Sequence, residues 1–284
     1  MLSLHQLIGT LNQMWPRSLA EEWDQVGLVL GHPEASVTTA LLCVDVVDQT
    51  VTEAIDQGVD VIIAHHPLLL RGVTSLAEDQ SKGHLVARLI RGGVALFTAH
   101  TNADAVDGGT SETLGRALGL KNMEVIAPSS EPTMGIGRVG VLATPTRLYD
   151  LASQLGGLVP QTAAGIKVSG DPEQLVTRVA LCTGAGDSLL GHPQVASADV
   201  YITGDLRHHP ASDTQQARLL GHGPALIDVS HFASEWFFLD SVKRSLEASV
   251  PQLDVVVSEL VTDPWDFVVH PGMHTPAASE ADAS

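Results

Sequence analysis

Two adjacent histidines, His65 and His66, stand at the end of an uncharged run, Val61-Ile62-Ile63-Ala64, and Pro67 stops the run just after them. In an open α/β sheet, ligands gather beyond the carboxyl ends of the strands, and this strand carries both imidazoles there. Side chains alternate along a strand, so neighbouring histidines point at different partners. Two metal ions side by side satisfy that geometry. Among the 13 histidines, His65, His66, His100, His208, His209 and His231 fall at expected carboxyl ends of strands. A single histidine there is more often a satisfied structural residue, but several in one crevice form a ligand set. Imidazole with carboxylate suits Zn, Fe, Mn, Co or Ni, whereas Ca and Mg prefer oxygen.

His231 and Glu235 are four apart on an expected helix, hence on one face, where the carboxylate can bridge two ions. Phe232, Trp236, Phe237 and Leu239 bury most of that helix, and a buried, unpaired glutamate is costly without a cation beside it. Asp104, six residues after a strand, reads on its own as a turn or N-cap residue rather than a ligand. Asp205, after Tyr201-Ile202-Thr203-Gly204, is placed to orient a ligand histidine or accept a proton. His208, His209 and His100 are the further acid/base candidates. The stretch Thr183-Gly184-Ala185-Gly186-Asp187-Ser188 offers backbone N–H groups to an anion, although any tight strand-to-helix turn favours glycine. No nucleophile elbow, Walker A loop or dinucleotide fingerprint occurs.

The elements that must position these groups follow from periodicity. Leu4, Leu7, Ile8 and Leu11 predict an amphipathic N-terminal helix, with Ser3 and Gln6 as a capping box. Strands at Ala40–Val46, Val59–Ala64 and Val94–Thr98 alternate with helices at Gln49–Gln57, Lys82–Arg91 and, after Gly108-Gly109, Ser111–Leu118. Alternation of this kind predicts a parallel sheet with right-handed crossovers. From Pro128 to Asp171 the pattern changes to hairpin-like runs with a small helix at Leu148–Leu155.

Beyond that stretch the first half is replayed in part. Leu41-Leu42-Cys43-Val44 matches Ala180-Leu181-Cys182-Thr183, and Val59–Ile63 matches Ala198–Ile202, both at the same offset and without a gap. The expected fold class is α/β, with two similar parallel-sheet lobes, a duplicated unit, facing each other across a metal-containing cleft. The expected division is 1–127 for the first lobe, 128–265 for connector and second lobe, and 266–284 for a disordered tail. A third strand of the second lobe, Pro224–Asp228, leads to His231, which opens one helix from Phe232 to Glu247 with Ser230 as N-cap; a short strand follows at Val255–Val257.

A chain of 284 residues with 44% hydrophobic residues buries a proper core. Its formal charge of -18 repels polyanions, so nucleic acid is not an expected partner. Cys43 and Cys182 lie in apolar runs and form no disulfide framework, which with no signal-like N-terminus predicts a cytoplasmic protein. No apolar run reaches the roughly 18 residues of a membrane span.

Taken together, Trp23-Asp24-Gln25-Val26-Gly27-Leu28, Ala64-His65-His66-Pro67-Leu68, His100-Thr101-Asn102-Ala103-Asp104, Thr203-Gly204-Asp205, His231-Phe232-Ala233-Ser234-Glu235 and Thr262-Asp263-Pro264-Trp265 resemble the NIF-three-like dinuclear-metal-centre proteins, often labelled GTP cyclohydrolase type-two homologues. The resemblance covers nearly the whole chain except its tail. It implies a hexameric toroid, a trimer of dimers, with two divalent metal ions per subunit. It also implies one ion on His65 and Asp104, the other on His66 and His231, and Glu235 contacting both, which raises Asp104 to a ligand. Gln25, Ser230 and Phe232 depart from the family's usual Asn, Gly and Tyr, and Pro128 to Asp171 is too short for the domain inserted in longer relatives. The function expected is metal-dependent hydrolysis of a small molecule, a nucleotide if the family label is followed; the alternative is a non-catalytic metal scaffold or carrier.

Overall fold

In the computed structural model, which describes residues 2–270, apolar strands of alternating facing build a mixed α/β fold with several sheets. The chain runs β1 (Leu2–Ser3), α1 (Leu4–Met14), β2 (Gly27–Leu30), β3 (Ser36–Val37), β4 (Thr39–Cys43), α2 (Asp48–Gln57), β5 (Val61–Ala64), α3 (Ser81–Gly92) and β6 (Ala95–Thr98). It continues through α4 (Thr101–Ala105), α5 (Thr110–Ala117), β7 (Lys121–Pro128), β8 (Gly135–Arg147), α6 (Leu148–Gly156), β9 (Lys167–Ser169) and β10 (Leu175–Ala185). The last elements are α7 (Pro193–Ala196), β11 (Val200–Gly204), α8 (His208–Leu219), β12 (Ala225–Asp228), α9 (His231–Trp236), α10 (Leu239–Ser249) and β13 (Asp254–Val257). The capping box of Ser3 and Gln6 forms at α1, and Gly58 closes α2 in the left-handed conformation that glycine tolerates best.

One sheet has the order β13-β4-β5-β6-β2, the other β7-β8-β10-β11-β12-β9. The expectation of parallel sheets holds only for their centres. β2 joins β6 antiparallel, and β7, β8 and β9 are all antiparallel to their neighbours. Of these pairs only β7 and β8 are consecutive, joined by the short turn that an antiparallel pair allows; β2 and β9 reach their partners from far along the chain. Two assignments by position also change. β13, placed with the second lobe, pairs with β4 of the first sheet, while β7, placed in the first, pairs with β8 of the second. Pairing across such distances is set by which edge is free, which local periodicity does not record.

The constant offset between the sequence matches is also an offset in register. Leu41 pairs with Ile62 and Cys43 with Ala64, while Ala180 pairs with Tyr201 and Cys182 with Thr203. Even the polar turn repeats: Asp60 Oδ2 accepts from the amides of Thr38 and Thr39, and Asp199 Oδ2 from those of Thr177 and Arg178.

Strand alternation divides the apolar residues by face. Leu42, Ile63 and Phe97 from the first sheet and Leu181, Ile202 and Ile227 from the second belong to one shared core, filled also by Leu4 and Leu7 of α1 and by Leu246 of α10. Leu41, Ile62 and Leu96 face the other way, against Val51 of α2 and Leu89 of α3. Ala180, Tyr201 and Leu226 do likewise against Val195 of α7. The helix expected over Phe232–Glu247 is broken at Phe237-Phe238 into α9 and α10. α9 packs on β10 and β11 and α10 on β13 and β4, so one straight rod would not serve both sheets. Among the described residues no helix is long and apolar enough to cross a membrane. Of the tail expected from 266, residues 266–270 form neither helix nor strand, and 271–284 lie outside the described residues.

Candidate metal centre

His65 and His66 follow β5 with their backbones still in the ladder: their amides donate to the carbonyls of Cys43 and Val44 at 3.0 and 2.8 Å. The two rings then diverge. His65 is buried, and its Nδ1–H donates to the Ala99 carbonyl at 2.9 Å. Half-buried His66 gives Nδ1–H to Asp45 Oδ1 at 2.7 Å. His100, just beyond β6, gives Nδ1–H to Asp24 Oδ1 at 2.9 Å, and His231, first residue of α9, gives Nδ1–H to Asp205 Oδ2 at 2.7 Å. An oxygen acceptor at Nδ1 fixes the tautomer, so each of the four rings is left with Nε2 as its lone-pair donor.

Three of those nitrogens, from His65, His66 and His231, surround Glu235, which is 4% exposed. Its Oε1 lies 3.5 Å from Nε2 of His65 and 3.2 Å from Nε2 of His231, and its Oε2 lies 2.9 Å from Nε2 of His66. Despite that proximity Oε2 forms no hydrogen bond, and neither does the buried Nε2 of His65. Nε2 of His66 and Nε2 of His231 are 3.2 Å apart. Lone pairs meeting lone pairs and a carboxylate in a buried site are repulsive unless positive charge lies between them. The titration of the group says the same. Burial pushes the imidazoles down, yet Glu235 and the neighbouring carboxylates outweigh it, raising His65, raising His66 to about 10 and His231 to about 11. Glu235 is driven up by burial but held well below the usual carboxylate range by His66, His231 and His65. The group therefore favours added positive charge at its centre.

Two groups of ligand atoms are close enough to share an ion: His65 with His66 and His100, and His66 with His231 and Glu235. Asp104, in α4, has Oδ1 3.7 Å from Nε2 of His65 and accepts a hydrogen bond from Thr110 Oγ1. The imidazole and carboxylate donors therefore fit divalent transition metals.

Glycines let the elements close on this point. Gly184 has φ +66°, and a Cβ there would meet Glu235 Oε1 at 2.3 Å. Its N–H is already given to Ser234 Oγ at 2.9 Å. The glycine of the Thr183–Ser188 stretch thus serves the close approach of Glu235, and the anion cradle expected there loses that donor. Asp205 is itself left-handed, at φ 53°, which aspartate tolerates better than most residues.

The sequence expectations for His65, His66, Asp104, His231 and Glu235 are all brought to one place, and Asp205 takes the orienting position. His100 also enters the cluster, within ligand distance of His65 and His66. His208 and His209 do not. They occupy the exposed first turn of α8 and pack against each other, with ring centroids 5.2 Å apart. Their proximity to Asp205 in sequence is lost because α8 turns outward. Substituting both by Ala is expected to leave metal content unchanged and stability within about 0.5 kcal/mol, checked by elemental analysis and denaturant titration.

Two supporting carboxylates escaped sequence reading. Asp45 follows β4 by two residues and holds His66, and Asp24 holds His100 while accepting from the Thr101 amide at 3.0 Å. Burial raises both carboxyls, but hydrogen bonds with His66 and with His100 and Thr101 bring them below their ordinary range, Asp24 to about 2. The available signal was position, since Asp45 stands at a strand's carboxyl end as His66 and Asp205 do. Asp45→Asn is expected to weaken metal binding by about ten- to a hundred-fold in a competitive chelator titration. Thr262 Oγ1, from the Thr262–Trp265 motif, donates to Asp45 Oδ2 at 2.5 Å and ties the C-terminal segment to this support.

Cavities open on either side. One of about 530 Å³ is lined by Trp23, His66, His100, Asp104, Thr183, His231 and Glu235, among others. The other, about 670 Å³, shares His66 and His231 and is bounded by Asp45, Asp205, Lys167, Asp263 and Trp265.

The chain as a whole is similar to known proteins. A Streptomyces coelicolor protein described as a GTP cyclohydrolase 1 type 2 homolog is 42% identical over 270 residues, covering 92% of this chain and 93% of the relative. A solved structure of a Bacillus cereus protein related to NIF3 has a TM-score of 0.84 at 25% identity, covering 94% of this chain and 99% of that one. A Staphylococcus aureus structure described as a hypothetical protein has a TM-score of 0.82 at 28% identity, with the same coverage of 94% and 99%. With residues 2–264 matching the description Duf34/NIF3 (NGG1p interacting factor 3), the chain belongs to that family.

Proposed function

We propose that the protein is a hydrolase of small molecules that works with two divalent metal ions. His65 and Asp104 would hold one ion and His66 and His231 the other, with Glu235 available to either. The observation that carries this reading is the convergence of imidazole Nε2 atoms, each oriented by an oxygen at Nδ1, on a buried carboxylate. When bound, such a pair of ions lowers the pKa of a water and polarises a carbonyl or phosphoryl oxygen. The chain's own groups do the remainder. Asp45 and Asp205 fix the rings of His66 and His231, and the shell around Glu235 keeps water from the carboxylate. His100, backed by Asp24 and with its ring centroid 5.2 Å from that of His65, is the group placed to take or return a proton at Nε2.

The matched registers at one offset support a duplicated unit, one half built on the sheet of β4, β5 and β6 with β13 added from the far end of the chain, the other on the sheet of β10, β11 and β12 with β7 and β8. The family resemblance supports a hexamer, the two free, buried cysteines support a reducing cytoplasm, and the label carried by the Streptomyces relative makes guanine-ring opening one reaction to test. Turnover of a panel of nucleotides, phosphoesters and cyclic amides by metal-loaded protein, with Glu235→Ala as control, tests the reading. Hydrolysis that disappears in the variant supports it. Equal inertness of both proteins replaces it with a metal carrier or scaffold.

A further inference from the structure

The smaller of the two cavities, the one lined by Trp23, carries information about its occupant. Resting on the two-metal reading, we propose that it takes a neutral, planar heterocycle stacked on Trp23, and that nucleoside phosphates are excluded by charge.

The first observation is what the cavity lacks. Among the described residues lining it there is no lysine or arginine. The neighbouring cavity has only Lys167, whose ammonium is already 2.5 Å from Asp228 Oδ2. Phosphate sites ordinarily present such cations. Two divalent ions would not supply the missing charge. Glu235 and Asp104 stand in the cluster, and Asp45, Asp24 and Asp205 lie directly behind its imidazoles. Five carboxylates against the four positive charges of two divalent ions leave no surplus to attract an anion. The whole chain, at -18, adds to the repulsion.

The second observation is what the cavity offers. Leu70, Ala127, Ile136 and Leu189 give it an apolar lining, and Ser111 and Thr183 add hydroxyls. Trp23 lines it as well, 57% exposed, with its ring centroid 5.9 Å from that of His100 in an edge-on arrangement. The residue after it is buried Asp24, which accepts from His100, Thr101 and the Gln25 amide. The backbone under Trp23 is thus fixed while the indole remains free, the state of a preformed stacking surface. A planar ring lying on it reaches the metal cluster past His100. At about 530 Å³, the volume lies in the range of small-molecule pockets.

Equilibrium dialysis on the full-length, metal-loaded protein tests this with four nucleosides (guanosine, inosine, adenosine and uridine) and with guanosine mono- and triphosphate. At least one nucleoside is expected to bind below millimolar Kd, and affinity for the guanosine series is expected to fall with each phosphate. Added salt should improve binding of the phosphates, because screening relieves repulsion. Trp23→Ala should weaken nucleoside binding about ten-fold, the ~1.4 kcal/mol of a base on an aromatic, with metal content unchanged. Trp23→Phe should retain most of it. Triphosphate binding that is tighter than nucleoside binding and weakens with salt overturns the proposal, as does absence of nucleoside binding or indifference to Trp23→Ala. Wild-type protein that holds no metal under any loading condition overturns instead the reading beneath it.

Discussion

Replacing Glu235 by Gln is expected to lower metal affinity by at least a hundred-fold and to abolish any hydrolysis. The carboxylate sits among Nε2 atoms of His65, His66 and His231 at 3.5, 2.9 and 3.2 Å, and among the described residues no other carboxylate reaches all three. Glutamine keeps the shape but removes the charge, and its amide group presents hydrogens where lone pairs had faced a cation. Loss of a merely supporting partner costs about ten- to a hundred-fold in affinity, and loss of a central ligand costs more. A hundred-fold loss removes about 2.3 kcal/mol of ligand-dependent stability at metal concentrations that previously exceeded Kd a hundred-fold. For a chain of this size that lowers the melting temperature by roughly 5–10 °C in the presence of metal. Isothermal titration with Zn or Mn, and melting curves with and without metal, check it. Two ions bound to the variant at wild-type affinity would sink the assignment of Glu235.

What could be seen in the sequence was what local pattern encodes. β5 is legible because an apolar run ends at two histidines and a proline, and the pair His231 and Glu235 because helical spacing puts them on one face. Asp205 was legible through its place in the repeat. The remainder depends on pairings far apart in the chain. That β13 adds to β4, or that Thr262 bonds Asp45, follows from which edge and which acceptor the finished fold leaves free. Asp45 and Asp24 were passed over because an aspartate beyond a strand is ordinarily solvated, and only the imidazole beside each gives it a task. His208 and His209 err the other way. Their types and position promised acid/base chemistry, but the first turn of α8 faces out. Asp104 shows the limit most clearly: on spacing alone a turn residue, it lies 3.7 Å from Nε2 of His65.

The second large effect is a reversal in how stability responds to pH when metal is added. In the metal-free protein, burial opposes charge on His66 and His231, but Glu235 with Asp45 and Asp205 raises them to about 10 and about 11, above the ordinary 6.5. A group whose folded pKa is raised stabilises the fold fully below its unfolded pKa and loses that contribution as pH climbs through the folded value. Metal-free protein should therefore lose stability steadily from about pH 6.5 toward pH 10. Glu235, held low, contributes with the opposite sign and fails only in acid, below the ordinary 4.5. Metal inverts the alkaline limb, because it binds imidazoles that have released their protons. Loaded protein should gain stability between pH 5 and 7 and show no such decline above. At pH 7 metal binding should release at least the protons of His66 and His231, measurable by calorimetry in buffers of different ionisation heat. Denaturant midpoints taken across pH 5–10, with and without metal, decide the matter. Parallel curves would mean that the imidazoles, although gathered around Glu235, do not exchange protons for metal.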